Sequence, residues 1–200
     1  MSETRLPKQQ GAIDKRNRII EKGFELMCEK GYYNVSTPEI AKVAGVSTGI
    51  IYQYFSDKKD IFIEGVKNYS NSIMFPMLQI IEKSNEIKDF NTLLDEIIDK
   101  FIASHTMSEK AHEQLLAMSH LDSSIAEIIN TSELEMTENI SMLLEKNNIM
   151  LNNSLEKVHI IYGILDNYCH EVVYHKHDKI DYNIMKENVK EIILFVLKNR

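Results

Sequence analysis

Residues 36–58 read Ser-Thr-Pro-Glu-Ile-Ala-Lys-Val-Ala-Gly-Val-Ser-Thr-Gly-Ile-Ile-Tyr-Gln-Tyr-Phe-Ser-Asp-Lys, the punctuation of two short helices joined by a glycine turn. Ser36 followed three residues later by Glu39 is a capping box, and Pro38 is tolerated in the first turn, where backbone N–H groups have no helical partner. The helix runs through Ile40, Ala41 and Val43 and meets Gly45, which supplies the positive φ that a tight turn between crossed helices requires. Ser47 caps the second helix. Small Ala41 and Ala44 let the two backbones approach, while Val46, Ile51 and Phe55 recur at helical spacing and fill the shared core.

The opposite face of the second helix is left polar. It carries Thr48, Gly49, Gln53 and Tyr54, with Tyr52 at its edge and Lys58 at the start of the next helix. Hydroxyls, an amide and a lysine suit phosphate and base-edge contacts, and Gly49 allows a backbone to come close to a duplex. The pattern implies DNA binding; a helical hairpin that only packs a core is the blander reading. Ser36, Thr37, Ser47, Thr48, Gly49, Tyr52, Gln53, Tyr54 and Lys58 form the candidate DNA-contacting set, with Thr37, Tyr52 and Lys58 assigned mainly to phosphates.

Ile40-Ala41, Ala44-Gly45-Val46-Ser47, Gly49, Tyr52, Tyr54-Phe55 and Lys58 together resemble the N-terminal signature of the TetR family of bacterial transcriptional regulators. Ile19, Gly23, Phe24, Leu26 and Gly31-Tyr32 resemble the helix that precedes the motif in that family, so the likeness covers roughly the first third of the chain. Gly23 departs from the pattern, since a helix former such as Ala is usual there, and is expected to weaken the first helix by about 1 kcal/mol relative to Ala. Gln53-Tyr54 departs where His often precedes the Phe, which bears on the operator sequence. The resemblance implies a ligand-responsive regulator, a repressor that binds a palindromic operator as a dimer and is released by a small molecule. A DNA-binding helical regulator without a small-molecule effector, switched by a protein partner, is the second reading.

Composition agrees with an all-α chain. Its 200 residues, 23.2 kDa in mass, include three Pro and seven Gly, and no long run alternates with period two. The net charge is −7, but residues 1–60 hold 10 Lys/Arg against 8 Asp/Glu, leaving 13 against 22 for the rest. A slightly basic head on an acidic body fits DNA binding through one end. Lys8, Lys15, Arg16 and Arg18 are expected near phosphates, with a solvated arm as the alternative for Lys8. The expected division is 1–60 as a helix-turn-helix domain with a flexible N-terminal arm, and 61–200 as an effector-binding and dimerisation domain, about nine helices in all.

Beyond the motif, a connector helix opening at Asp57 or Asp60 is expected to be interrupted by Pro76. Further helices are expected near 77–83, 90–104, 109–119, 123–147, 154–175 and 182–199. In the last two, Leu155, Val158, Tyr162, Leu165, Cys169 and Val172, and then Met185, Val189, Ile192 and Val196, form stripes too broad for one partner helix. A four-helix bundle shared by two subunits would cover them. Phe101, His105, Met118, Tyr162 and Tyr168 are the candidate lining of a pocket for a small, partly apolar effector, with Met107, His112 and His170 among further interior side chains.

Other chemistry finds little support in the pattern. No paired acid and base or nucleophile set occurs at informative spacing, so an enzyme is not expected. Cys28 and Cys169 lie far apart, and His175 and His177 at two-residue spacing do not share a helical face, so neither cofactor nor metal is expected. The polar N-terminus and the absence of a long apolar run point to a cytoplasmic protein with no membrane partner.

Overall fold

A computed structural model describes residues 7, 9–83, 90–106 and 109–198. Among the described residues there are nine α-helices, one 3-10 turn and no strand. The helices are α1 Gln10–Lys30, α2 Thr37–Ala44, α3 Thr48–Tyr54, α4 Lys58–Lys83, α5 Phe90–Thr106, α6 Glu109–Leu121, α7 Ser123–Lys146, α8 Ser154–Val173 and α9 Tyr182–Lys198, with the 3-10 turn at Tyr32–Asn34. Lys8 and Met107 lie outside the described residues.

The chain divides into two compact units, Met1–Ser70 with Lys110–Ile129, and Asn71–Glu109 with Asn130–Arg200. The expected boundary at residue 60 therefore falls inside α4, and the first unit also takes in α6 and the start of α7. The connector differs from expectation as well, because α4 continues through Pro76. A proline removes one main-chain bond and strains or kinks a helix, but here helix is established on both sides of it. Residues 77–83 are thus the end of α4 rather than a separate helix.

In the first unit α1 buries Ile19, Ile20, Gly23, Leu26 and Met27, a single stripe at helical spacing. Against that stripe sit Ile40 of α2 and Ile61 of α4: a Cβ on Gly23 would lie 2.8 Å from Ile61 Cγ2 and 2.9 Å from Ile40 Cγ2. Gly23 is thus a close-approach position. The propensity argument for a weakened α1 is outweighed by packing, since the methyl that would favour the helix has no space.

In the second unit α5 packs on α8, and α8 on α9. Phe101, Ile98, Leu165, Cys169 and Ile193 are buried there. Lys190 of α9, itself buried, reaches Asp95 of α5 at 2.9 Å, and Lys186 bridges Asp95 and Asp99 at 3.0 Å each. Asn148 and Asn153 take the left-handed conformation, φ 61° and 54°, between α7 and α8, a conformation asparagine tolerates better than most residues. No helix among the described residues is long and apolar enough to cross a membrane.

Candidate nucleic-acid interface

The turn between α2 and α3 is fixed at both ends by its own sequence. Ser36 donates its N–H to Glu39 Oε2 at 2.9 Å and its hydroxyl to the same oxygen at 2.8 Å. These bonds from the Ser36 backbone and then its hydroxyl hold the Glu39 carboxyl below the usual carboxylate range. At the other end Gly45 adopts φ 64°, ψ 40°, and its N–H and that of Val46 close onto the carbonyls of Lys42 and Ala41. This is a Schellman closure. A Cβ on Gly45 would touch nothing within 4 Å, so the positive φ alone calls for glycine.

With Ile40, Ala41, Ala44, Ile51 and Phe55 buried, the helix pair turns a polar face outward. Ser36, Ser47, Gly49, Tyr52 and Gln53 are exposed, and Thr37, Thr48 and Tyr54 are half-buried. Tyr52 is 52% exposed. Gly49 has only Ser47 Oγ, at 3.9 Å, near the place its Cβ would occupy, so the α3 backbone is open to close approach. Tyr54 leans edge-on toward Phe55 with ring centroids 6.4 Å apart. Val46, expected in the core, is half-buried, and Val43 is exposed.

Lys58 is engaged within the unit. Its Nζ donates to the carbonyls of Tyr32 and Val35, each at 2.7 Å, and lies 4.6 Å from the centre of the Tyr32 ring. Two of its three N–H bonds go to main-chain carbonyls, so it ties α4 to the turn that leads into α2. Arg16 is likewise drawn inward: it pairs with Glu64 at 3.2 Å and lies 5.1 Å from the centre of the Phe55 ring. Arg18 is exposed and Lys15 half-buried. The sequence treated Lys58 and Arg16 as phosphate ligands because a cation beside a recognition helix looks the same in one dimension whichever way it points.

A second lock was not legible from the chain. Asp122 caps α7 through Ser124 and pairs with Lys59 at 2.7 Å, and this ammonium, followed by the Ser124 hydroxyl, holds its carboxyl down to about 2. Tyr32 also stacks edge-on against Phe62, centroids 5.2 Å apart.

The expected pocket residues do not form one group. Phe101, His105 and Tyr162 come together in the second unit, with the Phe101 ring 4.6 Å from His105 and 6.1 Å from Tyr162. Tyr168 instead donates its hydroxyl to the Tyr182 carbonyl at 3.2 Å, toward α9, and Met118 is buried in the first unit. Polar residues beside His105 were missed: Asp166 Oδ1 lies 3.5 Å from its Nε2, and Tyr174 donates its hydroxyl to the His105 carbonyl at 3.1 Å. Burial, then the Asp166 charge, pushes the Glu133 carboxyl up, and the same two causes raise the Tyr162 phenol. Burial pushes the Cys28 thiol up to about 12 and raises Cys169 as well, so both thiols stay protonated at neutral pH.

The broad stripes on α8 and α9 are partly accounted for within the chain, since Val158, Leu165, Cys169 and Val189 are buried. What remains outward is a different set, Ile160 at 53%, Ile184 at 61%, Ile192 at 48% and Phe195 at 69% exposure. Of these only Ile192 belongs to the stripes read from sequence, which also leave Leu155 of α8 outward at 45% exposure.

An all-α chain whose first unit presents a capped helix-turn-helix, with its hydrophobic side closed and its polar side open, is in class a helix-turn-helix DNA-binding protein. Residues 19–64 match the family described as bacterial regulatory proteins, tetR family. The chain is 47% identical over 55 residues, 28% of its length and 24% of the relative's, to the HTH-type transcriptional regulator HbdR of Aromatoleum sp. strain CIB. It is 31% identical over 130 residues, 64% of its length and 59% of the relative's, to the fatty acid metabolism regulator protein of Bacillus subtilis. These matches therefore span less than two thirds of either relative. The fold is similar to a crystal structure described as a putative tetR-family transcriptional regulator from Mesorhizobium loti, with TM-score 0.76, 16% identity and coverage of 96% of this chain and 98% of that one. The match to the tetR family of bacterial regulatory proteins thus covers the helix-turn-helix segment, residues 19–64, and the rest of the chain is similar to such regulators in fold.

Proposed function

We propose that the chain is a cytoplasmic transcriptional regulator, a repressor that binds a palindromic operator as a homodimer and is released by a small, partly apolar effector held in the second unit. The observation that carries the DNA-binding part is the exposed polar face of α2 and α3 on a turn locked at Ser36, Gly45 and Lys58. On this reading Thr48, Gly49, Gln53 and Tyr54 meet bases or nearby backbone, and Ser36, Thr37, Ser47 and Tyr52 meet phosphates. Lys58 positions the turn through the Tyr32 and Val35 carbonyls.

The dimer reading is supported by the outward Ile160, Ile184, Ile192 and Phe195 on the last two helices, large apolar side chains that a second copy would cover. A seven-residue recognition helix reads few base pairs alone, and a two-fold pair reads two half-sites. Effector release is a population shift: a ligand that binds better to one arrangement of the second unit biases the connector α4, and with it the spacing of the two heads. The effector reading draws its support from the Phe101, His105 and Tyr162 cluster.

Fluorescence anisotropy of the purified chain against the DNA flanking its own gene, with unrelated DNA of equal length at the same salt, tests this. Tight binding of two protomers to the flank alone is expected. Equal, weak binding to both duplexes, with no operator recovered by selection from random DNA, would overturn it.

A further inference from the structure

The first turn of a recognition helix is the part that meets base edges, and in α3 that turn holds an apolar side chain the core does not take. Ile50 is the third residue of α3, its N–H closed on the Ser47 carbonyl at 3.0 Å. Ile51, one position or about 100° further round the helix, is fully buried. Ile50 is only half-buried and shares a face with Gln53, its exposed i+3 neighbour. Gly49 beside it offers no side chain, with only Ser47 Oγ, at 3.9 Å, near the place of a Cβ. A duplex that approaches the α3 backbone at Gly49 therefore reaches Ile50 as well.

The rest of α3 decides what such a side chain can read. Thr48–Tyr54 runs Thr-Gly-Ile-Ile-Tyr-Gln-Tyr. It has no Arg or Lys, the residues that take guanine at O6 and N7, whereas Gln53 is of the type that takes adenine at N6 and N7. The apolar group that a base pair offers in the major groove is the thymine 5-methyl. We propose that Ile50 is a specificity-determining residue that packs on the 5-methyl of a thymine, beside an adenine read by Gln53, so that the part of each half-site under α3 is built on A·T pairs. The inference rests on the DNA-binding reading of α2 and α3. Residues three apart on a helix have Cβ atoms about 5–6 Å apart, and successive bases are about 3.4 Å apart along the duplex, so Ile50 and Gln53 fall on neighbouring pairs. A β-branched side chain on a helix already has one preferred χ1 rotamer, so it loses little freedom on meeting the methyl. The contact also takes from water apolar surface that the free protein leaves half-exposed.

The test starts from duplexes that the full chain selects from random DNA. Each thymine of a selected half-site is replaced in turn by deoxyuridine, which removes the 5-methyl and leaves every hydrogen-bonding group in place. Affinities are read by fluorescence anisotropy at one salt concentration for the parent, Ile50→Ser and Ile50→Gln. Deoxyuridine at one position is expected to weaken the parent about 4-fold, as for one methyl-sized group taken out of apolar contact, and to leave both variants unchanged. A merely structural Ile50 would lower the affinity of the variants for thymine and deoxyuridine duplexes alike, so the coupling between the two changes separates the roles. Ile50→Gln keeps the bulk of the side chain and carries the test should Ile50→Ser fail to fold. A specific operator whose deoxyuridine duplexes all bind the parent as tightly as the thymine duplex, or a penalty of equal size in the parent and the variants, would overturn the proposal and leave the DNA-binding reading standing. Selection that returns no preferred sequence would instead refute that reading, and this one with it.

Discussion

Replacing Lys58 by Met keeps the apolar stem of the side chain and removes its charge and its donors. Two N–H···O bonds of 2.7 Å to the Tyr32 and Val35 carbonyls are lost, together with the contact on the Tyr32 ring. Hydrogen bonds to a charged partner contribute about 1.5–3 kcal/mol each and a half-exposed cation–π contact about 0.5–1 kcal/mol. Val35 is buried, but the site is only partly so, and water recovers some of what the carbonyls lose. A net loss of about 2–3 kcal/mol follows, which lowers the Tm by about 5–10 °C for a chain of this size. Thermal and denaturant unfolding measure the loss, and operator titrations across salt, below the variant's Tm, measure the other half of the argument. If Lys58 chiefly held a phosphate, the slope of log K against log salt would fall by about one unit with stability unchanged. The structure predicts the reverse: lower stability and a slope close to the parent's. A variant as stable as the parent whose slope drops by one would refute the positioning role.

Gly23→Ala sets helix propensity against packing. The added methyl favours α1 by about 1 kcal/mol, but it would press stiff β-branched methyls of Ile40 and Ile61 at under 3 Å, at a cost of about 1–3 kcal/mol; denaturant unfolding should show a less stable protein, and a gain would sink the close-approach account. Gly45→Ala should cost about 1–2 kcal/mol from the left-handed backbone alone, read in the same assay, and an unchanged midpoint would mean the turn rearranges freely. For Asp122 the folded carboxyl titrates at about 2, below its ordinary 3.8, so its contribution is complete above about pH 4 and is lost as the pH falls toward 2. The stability gap between parent and Asp122→Asn should therefore close across that window, and a gap constant with pH would show that the Lys59 pairing does not set it. Phe195→Glu and Ile184→Glu should convert the proposed dimer to folded monomers in analytical ultracentrifugation; dimers that persist in both would move the interface elsewhere.

The parts of the head that were legible in sequence are those governed by local rules. The capping box at Ser36 and Glu39, the turn at Gly45 and the buried Ile51 and Phe55 each depend on residues within a turn or two of one another, where spacing and geometry are nearly the same information. The Gly23 contact is not of that kind. Its meaning depends on Ile40 and Ile61, brought beside it by two other helices, and a propensity scale assigns it the wrong sign because it prices only the helix. The same holds for the apolar stripes on α8 and α9: helical spacing identified side chains that need cover, but not which of them the chain itself covers. Val158, Leu165 and Val189 turned out to be core, and Ile160, Ile184 and Phe195, off the best periodic fit, face outward.

Charged residues expose the limit most clearly, because a cation in a binding motif and a cation in a structural lock obey the same composition. Lys58 and Arg16 both lie beside the recognition helix, yet each is engaged within the unit, one by carbonyls and the other by Glu64 and Phe55. Their neighbours that remain outward are mostly uncharged: Ser36, Ser47, Gly49, Tyr52 and Gln53. A head that spends its nearest cations on holding its own turn has fewer left for phosphates, so its affinity should depend less steeply on salt than its cation content implies. Discrimination would then fall to Thr48, Gln53 and the backbone at Gly49. Selectivity between duplexes should accordingly fail at Gln53→Ala before affinity fails, because an amide reads base edges while the phosphate contacts of the hydroxyls around it stay in place.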